Sequence, residues 1–316
     1  MILFPFVKPV TIIAISVEET TLLEAKQHPD WQTWLKTAVV LFKLRIVFLL
    51  VVAATGGAFL GAGGWPGWET LLLTWLTGSL AAAGASSLNQ YLERHSDGAM
   101  GRTEKRPLVT GDIIHPQFVP IIGTILILLP SLAVLPFNPA LAFFLLLGAF
   151  IYVVIYTIWL KQRTVLNIVI GGAAGSAAVL SGGAAAGAWD EPGVLVLSLI
   201  LFLWTPFHFW SLAILYRDDY QRAAVPMLPV KMSPRQAAIW VMSHTLPTAI
   251  AGLLLGLLPS LGWLYFLPMV VVTAELLRRN IQLIRDPSRR QALAMFLASN
   301  NYLLILLVMI CLDTTL

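Results

Sequence analysis

Three oxygen-bearing side chains recur every fourth residue in the segment NQYLERHSD: Asn89, Glu93 and Asp97. In an α-helix, residues at i, i+4 and i+8 lie on one face, within roughly 80° of each other. This spacing predicts a site for a hard cation. Mg²⁺ takes one or two carboxylates and completes its coordination with water and substrate phosphate oxygens. Acidic groups at the end of an apolar segment are costly to bury, so a cluster of them indicates function.

A basic group follows directly in the run MGRTEKRPLVTG, which contains Arg102, Lys105 and Arg106. Such side chains can hold anionic oxygens through charge-assisted hydrogen bonds. Acids followed by bases therefore favour a metal-plus-diphosphate site. The alternative is a solvated loop, because cytoplasmic loops of membrane proteins are commonly basic.

A second acidic pair, Asp218 and Asp219, lies in the segment YRDDYQR. Adjacent like charges repel unless a cation or an arginine neutralises them, which favours a metal or an arginine network here. We expect both acidic groups on the same side of a helical bundle, facing each other across its mouth. Arg45, Lys161 and Arg163 are predicted at the same depth. The sequence leaves open which of the two aspartates is a ligand.

Two histidines, His208 and His244, lie within apolar segments. Each could coordinate a metal or transfer a proton, but an interhelical hydrogen bond is the favoured interpretation of both. His95, within the first acidic group, is predicted to be a surface neighbour.

The composition indicates which elements must position these groups. The chain has 316 residues, of which 58% are hydrophobic and 11% are charged, whereas soluble domains carry roughly 25% charged residues. This excludes a soluble enzyme and a disordered chain. The single cysteine, Cys311, excludes an internal disulfide. We predict an all-α membrane protein with nine transmembrane helices of about 20 residues. Their approximate bounds are Ile46–Ala62, Thr70–Leu92, Pro116–Leu135, Pro139–Leu160, Val165–Ala188, Val194–Leu215, Ala237–Leu257, Trp263–Leu277 and Ala292–Leu312.

The 20 lysines and arginines all fall in the N-terminal arm and in alternate loops between these segments. Positive residues stay on the cytoplasmic side, so the N-terminus and these loops are predicted to be cytoplasmic and the C-terminus outside. We expect a cytoplasmic arm over residues 1–42, whose apolar part Met1–Val17 does not span, followed by one transmembrane domain over 43–316. The small residues of Gly171–Gly187 predict close helix packing rather than ligand contact.

From about Lys43 to Val230 the sequence resembles the UbiA-type intramembrane prenyltransferases. The stretch NQYLERHSDGAMGRTEKRPLVTG looks like the first acidic motif of that family, with Glu93 where the family usually has Asp. WTPFHFWSLAILYRDDY, followed by PMLPV, looks like the second, and KLR at Lys43–Arg45 looks like the family's KPR. YTIWLKQRTVLNIVIGG resembles the branch whose acceptor is heme.

The resemblance implies a nine-helix bundle of the UbiA type in a bacterial inner membrane. It implies Mg²⁺-dependent transfer of a farnesyl group from farnesyl diphosphate to a vinyl group of heme b, with addition of a hydroxyl group, to give heme O. The implied partners are these two substrates, the lipid bilayer and other membrane enzymes of heme synthesis, with no nucleic acid. An aromatic or quinone-precursor acceptor is one alternative. An ion-binding transporter is another, although its polar groups would be expected near mid-membrane.

The same resemblance implies roles for individual residues. His208 is a candidate heme contact. The implied catalytic, metal-binding group is Asn89, Glu93, Asp97, Asp218 and Asp219. The implied diphosphate-binding group is Arg45, Arg102, Arg106, Lys161 and Arg222.

Overall fold

The computed structural model describes residues 30–316, so the segment Met1–Val17 and the rest of the predicted arm up to residue 29 lie outside the described residues. The described part is built of helices and contains no strand, which confirms the all-α prediction. In chain order the helices are α1 (Trp31–Leu41), α2 (Leu44–Ala62), α3 (Trp68–Asp97), α4 (Pro107–Thr110), α5 (Val119–Val134, after a 3-10 turn at Pro116–Phe118), α6 (Pro139–Phe150, continued with wider turns over Ile151–Leu160), α7 (Asn167–Gly171), α8 (Ala173–Ala185), α9 (Pro192–Leu215), α10 (Arg217–Arg222), α11 (Leu228–Lys231), α12 (Pro234–Leu255), α13 (Trp263–Arg285) and α14 (Arg289–Asp313).

Several helix ends follow from local sequence. At the start of α9, the Glu191 carboxylate accepts hydrogen bonds from the amides of Gly193 (2.6 Å) and Val194 (3.1 Å), which satisfies donors that the helix itself leaves free. α12 begins at a capping box between Ser233 and Gln236. These ends fix where each apolar segment starts.

Eight of the described helical segments are long and apolar enough to cross a membrane, and they correspond to eight of the nine predicted spans. The predicted eighth span, Trp263–Leu277, is also helical and forms part of α13. α13 does not join the other eight because its second half carries charged residues, Glu275 and Arg278 among them. The predicted count of nine spans is therefore not confirmed.

Glycines bring α2 and α8 into close contact. A Cβ atom built on Gly182 would lie 1.7 Å from the carbonyl oxygen of Ala54, and one on Gly57 would lie 2.2 Å from that of Val179. Both positions therefore require glycine, since real Cβ contacts are essentially never this short. This part of the small-residue segment serves packing, as predicted from its composition.

One end of the bundle gathers the charged residues. Hydrogen bonds and ion pairs there join the start of α2 to α3, the end of α3 to the end of α6, and α10, which follows α9, to the start of α14. We call it the charged end, and define it by Lys43, Asp97, Lys161, Asp218 and Arg289. The two predicted acidic groups therefore emerge at the same end of the bundle.

Candidate active site

A cavity of about 460 Å³ opens at the charged end and extends between α2, α3, α6, α8 and α9. Its body is lined mainly by apolar and small side chains. Its polar part contains both carboxylate and basic groups, formed by Lys43, Asn89, Glu93, Arg102, Arg106 and Lys161. The cavity thus combines an anion-binding mouth with an apolar interior, the form expected of a site for a long apolar ligand with a charged head.

Glu93 and Lys161 form an ion pair across this mouth, with 2.5 Å between Oε1 and Nζ. Their side chains are only 8% and 12% exposed, so water screens their attraction weakly. Lys161 directly follows the wide-turned end of α6, where its amide donates to the Tyr156 carbonyl, five residues back. Glu93, on the predicted ligand face of α3, thereby holds a cation at the cavity wall.

Asn89 bridges three elements. Its Oδ1 accepts a hydrogen bond from the Lys43 ammonium, and its Nδ2 donates to Thr157 Oγ1 at 2.9 Å. Lys43 also donates to the Tyr152 hydroxyl at 3.0 Å. Burial, together with the Arg106 guanidinium, lowers the pKa of the Lys43 ammonium to about 7. Lys43 reaches the cavity from the corner between α1 and α2, where its own backbone is left-handed, with φ 49°.

Asp97 is 1% exposed and pairs with Arg106. Its backbone carbonyl accepts a hydrogen bond of 2.7 Å from Thr103 Oγ1, which folds the loop after α3 back onto the helix end. This turn carries Arg102 and Arg106 to the cavity. The carboxylate itself lies behind Arg106 and does not line the cavity.

The two aspartates of the second acidic group point in different directions. Asp218 is 73% exposed at its side chain and pairs with Arg289 at 3.0 Å. Asp219 is 17% exposed, pairs with Arg222, and its Oδ2 lies 3.8 Å from a Cβ atom built on Gly101, within the loop that carries Arg102. Asp219 is thus the aspartate that faces the first acidic group.

The wide-turned part of α6 presents a pair of aromatic side chains. Tyr152 and Tyr156 stack with ring centroids 5.9 Å apart and an angle of 7° between their planes. Thr157 Oγ1 donates to the Tyr152 carbonyl, again five residues back, within the π-helical stretch, a form of helix that is frequent at functional sites. Both tyrosines line the cavity beside its polar part. Tyr220 lines it from α10, and burial raises the pKa of its phenol.

The histidines are explained by packing. His208 Nδ1 lies 2.7 Å from Ser299 Oγ on α14, and the imidazole stacks on Trp204 with 4.0 Å between ring centroids. This is the interhelical hydrogen bond that the sequence favoured. His244 makes its bond within its own helix, to Ser243. The structure does not place either ring among the residues that line the cavity.

Some predicted residues are not brought to the cavity. The side chains of Arg45, Lys105 and Arg163 are exposed, that of Arg222 is 63% exposed, and none of the four lines the cavity. Conversely, sequence reasoning missed residues that do line it. Lys43 lies in the KLR stretch and Tyr156 in the YTIWLK stretch, so the resemblance of these two motifs to the family could have identified both residues. Tyr152 had none, because its placement depends on the wide helical turns.

The residues present fit a divalent cation only together with substrate oxygens. Between residues 30 and 316, no three His, Cys, Asp or Glu side chains converge closely enough to hold a metal ion alone. Oδ1 of Asp97 is buried and has no hydrogen-bond partner within the described residues. An unpaired buried carboxylate oxygen near Asn89 and Glu93 suits Mg²⁺, which needs few protein ligands when phosphates supply the rest.

Residues 49–303 match the model of the UbiA prenyltransferase family. The chain belongs to the UbiA prenyltransferase family. This UbiA-family chain is 38% identical over 281 residues to protoheme IX farnesyltransferase 2 of Paramagnetospirillum magneticum, covering 88% of this chain and 97% of that protein. It is 39% identical over 274 residues to protoheme IX farnesyltransferase of Metallosphaera sedula, covering 86% and 94%. It is a multi-pass membrane protein and a prenyltransferase, as the family and its apolar helices show.

Solved structures share the UbiA fold with this chain. A digeranylgeranylglyceryl phosphate synthase matches with a TM-score of 0.74 and 17% identity, over 89% of this chain and 98% of that one. A UbiA homologue from Archaeoglobus fulgidus, bound to GPP and Mg²⁺, matches with a TM-score of 0.57 and 16% identity, over 87% and 99%. These similarities confirm the predicted fold class.

Proposed function

We propose that this chain transfers the farnesyl group of farnesyl diphosphate to a vinyl group of heme b, and so forms heme O. The relatives named protoheme IX farnesyltransferase support the substrates. The observation that carries the proposal is the cavity itself, which joins an apolar interior to four cations, Lys43, Arg102, Arg106 and Lys161. A prenyl diphosphate has the same division into an apolar tail and an anionic head.

The four cations act on the leaving group. Glu93 holds Lys161 in place, and Asp97 holds Arg106 in place. Both cations are therefore positioned at the mouth before the diphosphate binds, and their side chains need little reorganisation. Arg102 follows in the loop after α3. Arg222 and Arg45 lie outside the cavity and contribute, at most, to the positive potential that attracts the anionic substrate.

Mg²⁺ is assigned to the same mouth, where Asn89 and Glu93 line the cavity and Asp97 and Asp219 lie next to it as the further residues that would hold the ion. Bound there, the ion supplies Lewis-acid stabilisation of the departing diphosphate oxygens. The homologue from Archaeoglobus fulgidus, which binds GPP and Mg²⁺ together, supports this use of a metal. Asp218 points to Arg289 and is the weaker candidate of its pair.

The reaction breaks the bond between the allylic carbon and the diphosphate oxygen, and the electron pair leaves with the diphosphate. The vinyl group then supplies the electrons of the new carbon–carbon bond. A water molecule adds to the resulting cation and loses one proton, which leaves a hydroxyl group. The apolar wall keeps other water away from the allylic cation, and the faces of Tyr152 and Tyr156 stabilise its positive charge.

We place the charged end on the cytoplasmic side of a bacterial inner membrane, because the lysines and arginines gather there. The N-terminus is then cytoplasmic, and nine spans put the C-terminus outside, with α13 as the span that contains Glu275. Residues 43–316 form one transmembrane domain and residues 1–42 a cytoplasmic arm. Heme b is delivered by, and heme O passed to, other membrane enzymes of heme synthesis. His208 acts as an interhelical contact rather than as a heme ligand.

The purified protein in lipid nanodiscs tests the proposal. With farnesyl diphosphate, Mg²⁺ and heme b, mass spectrometry should detect heme O, and chelation of Mg²⁺ should stop its formation. Parallel reactions replace heme b with an aromatic hydroxy acid. A prenylated aromatic product without heme O would overturn the heme assignment but retain prenyl transfer. No product with either acceptor would overturn both.

A further inference from the structure

The end of the cavity opposite its charged mouth is lined by small side chains and closed by one large ring. Along α3, the wall beyond Asn89 consists of Ser86, Ala85, Ala82, Ala81 and Gly78. From α6, Phe144 projects into this end. Phe144 lies eight residues before Tyr152, which in an α-helix corresponds to about 12 Å from the polar part. Phe144 is larger than any of the α3 side chains that line this end of the cavity, which are serine, alanine and glycine.

Phe144 is held firmly in place. Its side chain is 7% exposed and belongs to a packed cluster with Leu141 and Ala184. Its ring centroid lies 5.5 Å from that of Trp189 in the loop after α8. Close-packed rings of this kind do not swing aside to admit a ligand. The ring therefore forms a fixed boundary.

A hydrogen bond bridges the gap between α2 and α3 one helical turn beyond the last α3 residue that lines the cavity. Trp75 Nε1 donates a 2.9 Å hydrogen bond to Thr55 Oγ1, which joins α3 to α2 one turn past Gly78. Gly78 lines the cavity, and a Cβ atom built on it meets no atom within 4 Å. A side chain at this position would enter the cavity without displacing the backbone.

The length of this apolar part matches three isoprene units. From Asn89 to Gly78 is eleven residues of α3, a rise of about 16 Å. One isoprene unit advances about 5 Å through four carbon–carbon bonds of about 1.5 Å. Three units therefore need about 15 Å and four units about 20 Å, on the same bond lengths. Gly78, at about 16 Å along α3, leaves room for three units and not for four, whereas the Phe144 ring, at about 12 Å along α6, meets the third unit.

We propose that Phe144 is the specificity-determining residue that limits the isoprenoid to three units, because its ring meets the third unit before the level of Gly78. This inference rests on the proposed function, because it places a prenyl diphosphate in the cavity with its head at the charged end. It does not depend on which acceptor receives the prenyl group.

Two variants act on this boundary in opposite directions. Phe144→Ala removes the ring and should admit a fourth unit, and Gly78→Leu fills the same space and should favour two units. A hydrophobic pocket discriminates by about 10-fold or more for one methylene group. Phe144→Ala should therefore raise the ratio of C20 to C15 transfer at least about tenfold, and Gly78→Leu should raise the ratio of C10 to C15 transfer similarly. Phe143→Ala is the matched control, because Phe143 is 57% exposed and does not line the cavity.

The experiment offers geranyl, farnesyl and geranylgeranyl diphosphate together to each purified variant in nanodiscs with Mg²⁺ and heme b. Product ratios are read by mass spectrometry, and the affinity of each diphosphate is measured separately by calorimetry. Opposite shifts in the two variants, with an unchanged profile in Phe143→Ala, support the boundary. Unchanged chain-length profiles in two folded, binding-competent variants overturn it. If heme is not prenylated but the affinities shift as expected, the acceptor assignment fails and the boundary stands.

Discussion

Removing the Lys161 ammonium separates its two roles, in stability and in chemistry. Its partner Glu93 has only 8% of its side chain exposed. Lys161→Met therefore leaves a buried carboxylate without its ion-pair partner, which costs about 3–5 kcal/mol. Glu93→Gln added to Lys161→Met removes both charges of the pair, and a neutral pair of similar volume recovers most of that loss. Stability should fall in the single variant and return in the double variant.

Activity should not return with it. Lys161 is one of the cations proposed to stabilise the diphosphate as it departs, and removal of one such group commonly costs about 10²–10³ in kcat. The double variant regains stability but still lacks the cation, and Glu93→Gln alone, measured beside it, gives the share of the loss that comes from changing a proposed metal-binding residue. Two assays on the same nanodisc samples distinguish these effects, namely Tm by differential scanning fluorimetry and the rate of heme O formation by mass spectrometry.

Lys105→Met is the matched control, since Lys105 is an exposed lysine at the same end and does not line the cavity. It should leave both Tm and activity close to those of the unchanged protein. Recovery of activity in Glu93→Gln/Lys161→Met would refute the role of Lys161 at the diphosphate. A single variant with an unchanged Tm would refute the energetic role of the ion pair.

Three further changes test other parts of the site. Asp97→Ala should reduce turnover to background while the protein still inserts into membranes, since it removes an oxygen proposed to bind the metal; near-normal heme O formation would remove Asp97 from that role. Gly182→Ala should lower Tm through overpacking of about 1–3 kcal/mol, whereas Gly78→Ala, which meets no atom within 4 Å, should not; equal Tm values would contradict the close approach of α2 and α8. His208→Ala should lower Tm by removing the bond to Ser299 but keep heme prenylation within a few-fold; complete loss of product in a folded variant would indicate direct contact with a substrate.

The sequence predicted the fold class and the position of the acidic groups because both depend on periodicity and charge. Eight of the predicted spans recur in the structure since runs of apolar residues need helices in lipid. The four-residue spacing of Asn89 and Glu93 likewise placed both side chains on the cavity side of α3. These inferences required no knowledge of how distant segments pack.

Other features depended on tertiary structure. Adjacent residues on a helix point about 100° apart, so Asp218 and Asp219 could not both face the same site, and only packing decides between them. Lys43 replaces Arg45 at the cavity because the left-handed corner at Lys43 turns its side chain inward. The segment Trp263–Leu277 was predicted as a span and is helical, but the charged second half of α13 leaves the count of nine spans unconfirmed. The sequence did not indicate that Phe144 lines the cavity, because it is one aromatic residue among many apolar ones in its segment.

The wide turns over Ile151–Leu160 set the direction in which Lys161, the residue after them, projects from the end of α6. Each π-helical turn contains about one residue more than an α-helical one, so the same ten residues wound as ordinary α-helix would complete more turns. Everything beyond them would then face another direction, and Lys161 would leave Glu93. The position of the helix end, and of the cation that follows it, therefore depends on the wide turns as well as on residue identity.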